Sequence, residues 1–283
     1  MFTLLVAEQE KLSFWQQLLG SNVWLEEHHT MDIPWRLIRA VPNRNGLDWN
    51  KIERYAGRHR ARVVSSVEYR PPSDSCVEIA RLYEFKRILA AKAICSVLKE
   101  RVESESVGVI DPAARCLSAV EILLEQAKCV MVYTKQPHRY EWFARRMLQQ
   151  KGAAVLMCSN PVVMKDCRMV LLGGACEDWQ KWAPDGSAVF SAVGEIPSEG
   201  HLLVSGFEPQ CPAALRRQIP KGVPPEDICA ALYQLAARRE LAELSVKLCR
   251  VNGVGMDLTQ LERMLCKVVE NPEKQGVSAL DIK

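Results

Sequence analysis

The sequence predicts an α/β protein whose C-terminal part contains a doubly wound parallel sheet. Between residues 107 and 174, short and nearly continuous apolar runs alternate with segments of helix length, which is typical of parallel strands buried on both faces. Crossovers of this length between parallel strands are almost always right-handed, and this favours helices on both faces of the sheet. With 283 residues, the chain is long enough for two modest domains.

The composition is that of an ordinary water-soluble globular protein. Hydrophobic residues make up 48% and charged residues 25% of the chain. The net charge of +3 is small, and lysines and arginines alternate with glutamates, so we expect no nucleic-acid partner. The first apolar run is short and is followed by Glu8 and Glu10, so we expect neither a signal peptide nor a membrane span.

The cysteine pattern indicates a reducing compartment. The chain has eleven cysteines, no CxxC pair and no cysteine–histidine cluster with metal-ligand spacing. Most of the cysteines stand in apolar runs, where a free cysteine behaves as a small hydrophobic residue. We therefore expect a cytoplasmic protein with free thiols and without metal.

Residues 1–103 are predicted to form an N-terminal α/β domain, which ends at the polar stretch 103–106. The predicted strands are 2–7, 34–41 and 61–66; the predicted helices are 8–19, 48–57 with Asp48 as its cap, and 77–102; 70–75 is a predicted loop. His28 and His29 are adjacent, and on a strand they would point to opposite faces, so a shared metal would need a loop. We interpret this pair as part of an exposed polar loop.

Residues 107–283 are predicted to form the second domain, with a helical extension at 222–270. Its predicted strands are 107–110, 130–133, 154–157 and 169–172, with two weaker ones at 188–193 and 202–205; its predicted helices are 113–127 and 140–150, with a short helix or turn at 161–166. Two further helices are predicted at 224–249 and 257–270, the second capped by Asp257 and the two joined by 251–255.

Residues 107 to about 174 resemble the NAD(P)-binding Rossmann half-domain in the order and spacing of their elements. The chain also resembles uncharacterised Rossmann-like proteins of bacteria. The first resemblance implies a nucleotide at the carboxyl edge of the sheet, on a turn with three glycines. In this sequence those three places fall on Asp111, Ala113 and Cys116.

Asp111 is the most consequential of these substitutions. As the residue before Pro112 it would suit a helix N-cap, where its carboxylate would take the amides that a pyrophosphate uses. The alternatives are a catalytic or ligand-binding aspartate at the strand tip, or a nucleotide site that tolerates the carboxylate.

The end of the second strand points to a different cofactor preference. NAD-preferring proteins usually have an acidic residue there for the ribose hydroxyls. Here Thr134 is followed by Lys135, and then by His138 and Arg139, so cations stand where the 2′-phosphate of NADP would lie. The alternative is a solvated, basic helix start.

Other candidates for the same edge are Ser159 with Asn160 after the third strand, and Gly173 with Gly174 after the fourth. The two glycines suit the approach of a flat ring to the backbone, or they are plain turn residues. From later loops, His201 and Glu208 could reach this edge.

Two functions remain open at this point. One is the binding of a nucleotide or other phosphorylated small molecule in the crevice between the domains, with NADP-linked redox chemistry. The other is a non-catalytic regulatory or assembly module that kept the scaffold and lost the phosphate-binding turn. The absent glycines favour the second, and the fold alone does not decide between them.

Overall fold

The computed structural model describes residues 1–7, 22–43, 46–65, 70–99, 105–197 and 200–270. Their contacts divide into two compact units. The first consists of Met1–Phe85 with Cys211–Leu244, and the second of Lys86–Gln210 with the chain from Ser245 onward. This division does not coincide with the predicted boundary at 103–106. The predicted helix 8–19 and the tail after residue 270 lie outside the described residues.

Twelve strands and seven α-helices are found in the described parts of the chain. The strands are β1 Thr3–Ala7, β2 Val23–Thr30, β3 Ile33–Ala40, β4 Val63–Ser65, β5 Ser106–Ile110, β6 Cys129–Tyr133, β7 Ala154–Cys158, β8 Met169–Leu172, β9 Ala188–Ser191, β10 Leu202–Pro209, β11 Val246–Val251 and β12 Val254–Asp257. The helices are α1 Trp49–Ala56, α2 Tyr83–Lys99, α3 Leu117–Leu123, α4 Pro137–Lys151, α5 Ala213–Arg217, α6 Pro225–Leu235 and α7 Leu258–Glu270. No described helix is long and apolar enough to span a bilayer.

The first unit contains a four-stranded sheet in the order β2-β3-β1-β4. β1 lies parallel to β3 and β4, and β2 is antiparallel to β3. The prediction of a polar loop at His28 and His29 is therefore wrong, because both residues lie in β2. Their side chains alternate as a strand requires: His28 stacks on Trp35, and His29 is exposed.

The two helices predicted to start at residues 48 and 77 agree unequally with the structure. Asp48 caps α1 as predicted, since its Oδ1 accepts the backbone N–H of Lys51 at 3.1 Å. The predicted helix 77–102 begins later, at Tyr83. Before it, Ile79 forms a parallel bridge with Val63, and this pairing holds the segment extended.

The second unit contains an eight-stranded sheet in the order β12-β11-β10-β9-β8-β5-β6-β7. From β7 to β10, each pair of adjacent strands is parallel, and β11 is antiparallel to β10. Counted from β5, the order is third, second, first, fourth, fifth and sixth, which is the order of the dinucleotide-binding fold. The predicted Rossmann-like sheet is confirmed, and its strand order reverses between β5 and β8.

A β-hairpin extends this sheet where a helix was predicted. The helix predicted at 224–249 ends at Leu235, and residues 251–255 join two antiparallel strands instead of two helices. Asn252 and Gly253 form the turn with φ angles of 47° and 83°, and positive φ at both central residues is the type I′ signature that Asn-Gly favours. Asn252 Oδ1 also accepts the backbone N–H of Leu203 at 2.9 Å.

The hairpin leads directly into α7, whose predicted cap is confirmed. Asp257 Oδ1 accepts the backbone N–H of Gln260 at 2.8 Å, and Gln260 Oε1 accepts that of Asp257 at 3.3 Å. This reciprocal pair is a capping box. Further along, Glu262 Oε1 accepts a 2.7 Å hydrogen bond from the Ser96 hydroxyl and so connects α7 to α2.

Candidate functional site

The candidate site of the second unit lies where β5 and β8 end. In open α/β sheets, ligands bind beyond the carboxyl ends of the strands, at the point where the strand order reverses. Asp111 follows β5 and Gly173 follows β8. The backbone N–H of Gly173 donates to the carbonyl of Ile110 at 3.0 Å, so the two strand ends are directly connected.

Asp111 closes the turn that follows β5. Its side chain is buried, and its Oδ2 accepts two hydrogen bonds of 2.7 Å, one from the backbone N–H of Cys116 and one from the Tyr140 hydroxyl. Helix α3 begins at Leu117, so the prediction that Asp111 caps a helix starting at 113 is wrong. The chain first makes a turn, with the Ala114 N–H donating to the Asp111 carbonyl at 3.1 Å.

The Tyr140 hydroxyl and the Cys116 thiol, both near this carboxylate, lose their protons less readily than usual. Burial raises the pKa of the Tyr140 hydroxyl and of the Cys116 thiol, and the negative charge of Asp111 raises both further. A protonated phenol and a protonated thiol are donors that suit a buried carboxylate. The cluster is therefore a satisfied polar network within the apolar interior of the unit.

Arg87 supplies a positive charge to the same place. Its buried side chain donates from Nε to the carbonyl of Gly173, and from Nη1 to the carbonyl of Arg115 at 3.2 Å. Its charge lowers the pKa of Cys116 and Tyr140, against the larger effects of burial. Sequence reasoning missed both Arg87 and Tyr140, because they are far from Asp111 along the chain and no local pattern connects them to it.

The two glycines after β8 have different surroundings. A Cβ atom on Gly173 would lie 1.9 Å from Cys116 Sγ, whereas one on Gly174 would meet no atom within 4 Å. The glycine at 173 is thus required by the packing of Cys116. Gly174 faces open space, and it is the member of the pair that a ligand could approach.

The predicted basic loop lies against the Asp111 turn. The backbone N–H of Lys135 donates to the carbonyl of Pro112 at 3.1 Å, and Nη1 of Arg139 lies 3.5 Å from the carbonyl oxygen of Ala113. The side chains of both cations are exposed. Thr134 makes a hydrogen bond within the loop, since its hydroxyl oxygen accepts the backbone N–H of Gln136 at 3.1 Å.

The remaining predicted residues lie further from the Asp111 turn. Ser159 and Asn160 are exposed after β7, two strands away from β5, and Asn160 Oδ1 accepts the N–H of Val162 at 3.0 Å. His201 immediately precedes β10. It therefore lies at the amino edge of the sheet, and the expectation that it could reach the carboxyl edge is wrong. Glu208 lies near the carboxyl end of β10.

Comparison with known proteins gives only distant likenesses. No protein-family model and no curated protein matches the chain. Among solved structures, it is similar to quinate dehydrogenase from Corynebacterium glutamicum in complex with NAD, at 10% identity over 94% of this chain and 99% of that one, with a TM-score of 0.33. It is also similar to L-tryptophan dehydrogenase from Nostoc punctiforme, at 13% identity over 86% of this chain and 70% of that one, with a TM-score of 0.36.

A third similar structure is the pyrroline-2-carboxylate reductase of Thermococcus litoralis in complex with NADH and L-proline, at 16% identity and a TM-score of 0.30. This chain spans 41% of the length of that reductase, and the match covers 41% of this chain. All of these scores are low. The Rossmann-like assignment of the second unit therefore rests on its strand order.

The site contains groups for polar recognition rather than for metal binding. Within the described ranges, no group of three or more histidine, cysteine, aspartate or glutamate side chains is arranged to hold a metal ion. What the edge between β6 and β8 offers is a pair of exposed cations, an open backbone at Gly174 and a buried, hydrogen-bonded carboxylate.

Proposed function

We propose that the second unit binds NADP and that the protein is an NADP-linked oxidoreductase. The observation that carries this proposal is the position of Lys135 and Arg139. Both cations are exposed beyond the end of β6, beside the turn where the strand order reverses, and no acidic residue stands between Thr134 and Arg139. A 2′-phosphate placed there would gain charge-assisted hydrogen bonds that NAD lacks.

The residues present fit the two ends of NADP unequally. The cations after β6 fit the 2′-phosphate. The Asp111 turn does not fit the pyrophosphate in the usual way, because the N–H of Cys116 is already bound to the Asp111 carboxylate and that carboxylate repels an anion. Recognition of the adenosine 2′-phosphate is thus the part of the proposal that these residues support most directly.

The filled turn favours a second candidate function. In a protein without a dinucleotide, the network of Asp111, Tyr140 and Cys116 would serve only to stabilise the second unit. The chain would then be a non-catalytic regulatory or assembly module on a Rossmann-like scaffold, and its exposed cations would be solvated.

Binding of adenosine 2′-monophosphate and 5′-monophosphate tests the proposal. The 2′-isomer carries the phosphate that the cations would bind and lacks a pyrophosphate, so the closed turn does not interfere with it. We expect it to bind more tightly than the 5′-isomer and to lose at least tenfold in affinity when Lys135 and Arg139 are both replaced by alanine, since each charge-assisted bond contributes about 1.5–3 kcal/mol.

The exposed Arg145 on α4 provides a control, because Arg145→Ala removes one positive charge from the helix that also carries Arg139. It should leave the affinity for the 2′-isomer within about twofold. Equal binding of the two isomers, or equal losses in the control and the double variant, would contradict 2′-phosphate recognition. Binding of the 2′-isomer without binding of NADP would favour the non-catalytic module.

A further inference from the structure

Two cysteines of the first unit lie close enough to react with each other. The Sγ atoms of Cys211 and Cys229 are 3.6 Å apart, and neither residue is part of a disulfide. Cys211 lies two residues before α5, and Cys229 lies within α6. We propose that this pair is a site of reversible oxidation, at which a small-molecule disulfide such as oxidised glutathione converts the two thiols into one intramolecular disulfide.

The two sulfurs differ in their exposure, and this sets the order of reaction. Cys211 is half-buried and can be reached from solvent, whereas Cys229 is completely buried. The hydrogen bond with Cys211, together with burial, raises the pKa of Cys229. Because the thiolate is the attacking species, Cys211 reacts first and Cys229 acts as the resolving thiol.

The reaction balances without any further oxidant. The Cys211 thiolate attacks one sulfur of oxidised glutathione, which forms a mixed disulfide and releases one glutathione thiolate. Cys229 then attacks Sγ of Cys211, breaks the mixed disulfide and releases the second glutathione. The two protein thiols are oxidised by two electrons, the glutathione disulfide is reduced, and the two protons go to the released glutathione thiols.

A disulfide between Cys211 and Cys229 would stabilise the folded first unit. Cys229 lies eighteen positions after Cys211, so the bond would close a loop that contains all of α5 and the first turn of α6. Closing a loop of this length restricts the unfolded chain and stabilises the folded one. We therefore expect the oxidised first unit to unfold at a higher temperature than the reduced one.

The direct test is peptide mapping of the full-length protein after native incubation with oxidised glutathione. Trypsin cuts after Arg216, Arg217 and Lys221, so Cys211 and Cys229 fall on different peptides that only a disulfide joins. We expect the joined peptide, its loss on treatment with dithiothreitol, and a raised melting temperature of the oxidised protein. Cys211→Ser should abolish both effects.

The exposed Cys76 is the control, since it is open to the same reagent and lies outside this pair. Cys76→Ser should leave the joined peptide and the shift in melting temperature unchanged. A Cys211 that stays unmodified, or one that carries glutathione without bonding to Cys229, would overturn the proposal. So would a joined peptide that persists when Cys229 is replaced by alanine.

Discussion

The hydroxyl of Tyr140 donates a 2.7 Å hydrogen bond to Oδ2 of Asp111, and both side chains are buried. This bond connects the first turn of α4 to the end of β5. It provides one of the two hydrogen bonds that satisfy a carboxylate in the apolar interior, where an unsatisfied charge is costly. The Asp111 turn is therefore stabilised by two hydrogen bonds, one from the Cys116 backbone and one from the Tyr140 side chain.

Tyr140→Phe should destabilise the protein. The substitution keeps the ring and removes the donor, and hydrogen bonds to charged groups contribute about 1.5–3 kcal/mol. The matched control is Tyr55→Phe, at a half-buried tyrosine on α1, which should change the free energy of unfolding by less than about 0.5 kcal/mol. Denaturant unfolding measures both, and equal losses would show that the bond to Asp111 adds no stability.

The glycine at 173 is predicted to be required by Cys116. Gly173→Ala would place a Cβ 1.9 Å from Cys116 Sγ, and overpacking of this kind costs about 1–3 kcal/mol. In the double variant with Cys116→Ala, the nearest atom to the new Cβ is the Cβ of residue 116 at 3.6 Å, an ordinary contact. The double-mutant cycle should therefore show a favourable coupling energy. Additive losses would contradict the packing argument.

The hairpin turn at Asn252 and Gly253 makes a prediction about backbone conformation. Gly253 has φ +83°, and left-handed backbone costs an L-residue about 1–2 kcal/mol. Gly253→Ala should lower the free energy of unfolding by about that amount. Gly255→Ala is the control, because Gly255 lacks a positive φ and has open space around it. If both substitutions had equal effects, the turn type would be wrong.

Strands were easier to predict from this sequence than the site. Strands β5 to β8 agree with their predicted bounds to within one residue, because parallel strands buried on both faces are written as continuous apolar runs. The hairpin was missed although its Asn-Gly dipeptide is a strong turn signal. Valine, leucine and cysteine at 246–251 also fit the apolar spacing of a helix, and this spacing is why the sequence predicts a helix there.

The hydrogen-bond partners of Asp111 are harder to predict from the sequence than the strands. The sequence correctly marked the position as unusual, because a carboxylate stands where a glycine is expected. Its partner Tyr140 lies 29 residues along the chain, and Arg87 reaches the same place across an interval of 86 residues to Gly173. Such contacts are created by the sheet topology, and no local spacing encodes them.

Opening the turn should improve phosphate binding. Asp111→Gly removes the carboxylate and frees the N–H of Cys116, the residue directly before α3, and charge effects at a helix end of about 0.3–1 kcal/mol correspond to a two- to fivefold gain in NADP affinity. Asp111→Asn keeps a side-chain oxygen that can still accept the backbone N–H of Cys116, so its gain in NADP affinity should be smaller. Both are measured by calorimetry below the melting temperature of each variant. A loss of affinity in Asp111→Gly would instead make the carboxylate a ligand contact.

Titration of the wild-type protein with NADP and with NAD at low salt measures whether the protein recognises the 2′-phosphate. We expect NADP to bind at least tenfold more tightly than NAD, because Lys135 and Arg139 add charge-assisted bonds to the 2′-phosphate. The preference should disappear when both residues are replaced by alanine, with the affinity for NAD unchanged. Failure of both dinucleotides to bind up to millimolar concentration, or equal binding of the two, would contradict it.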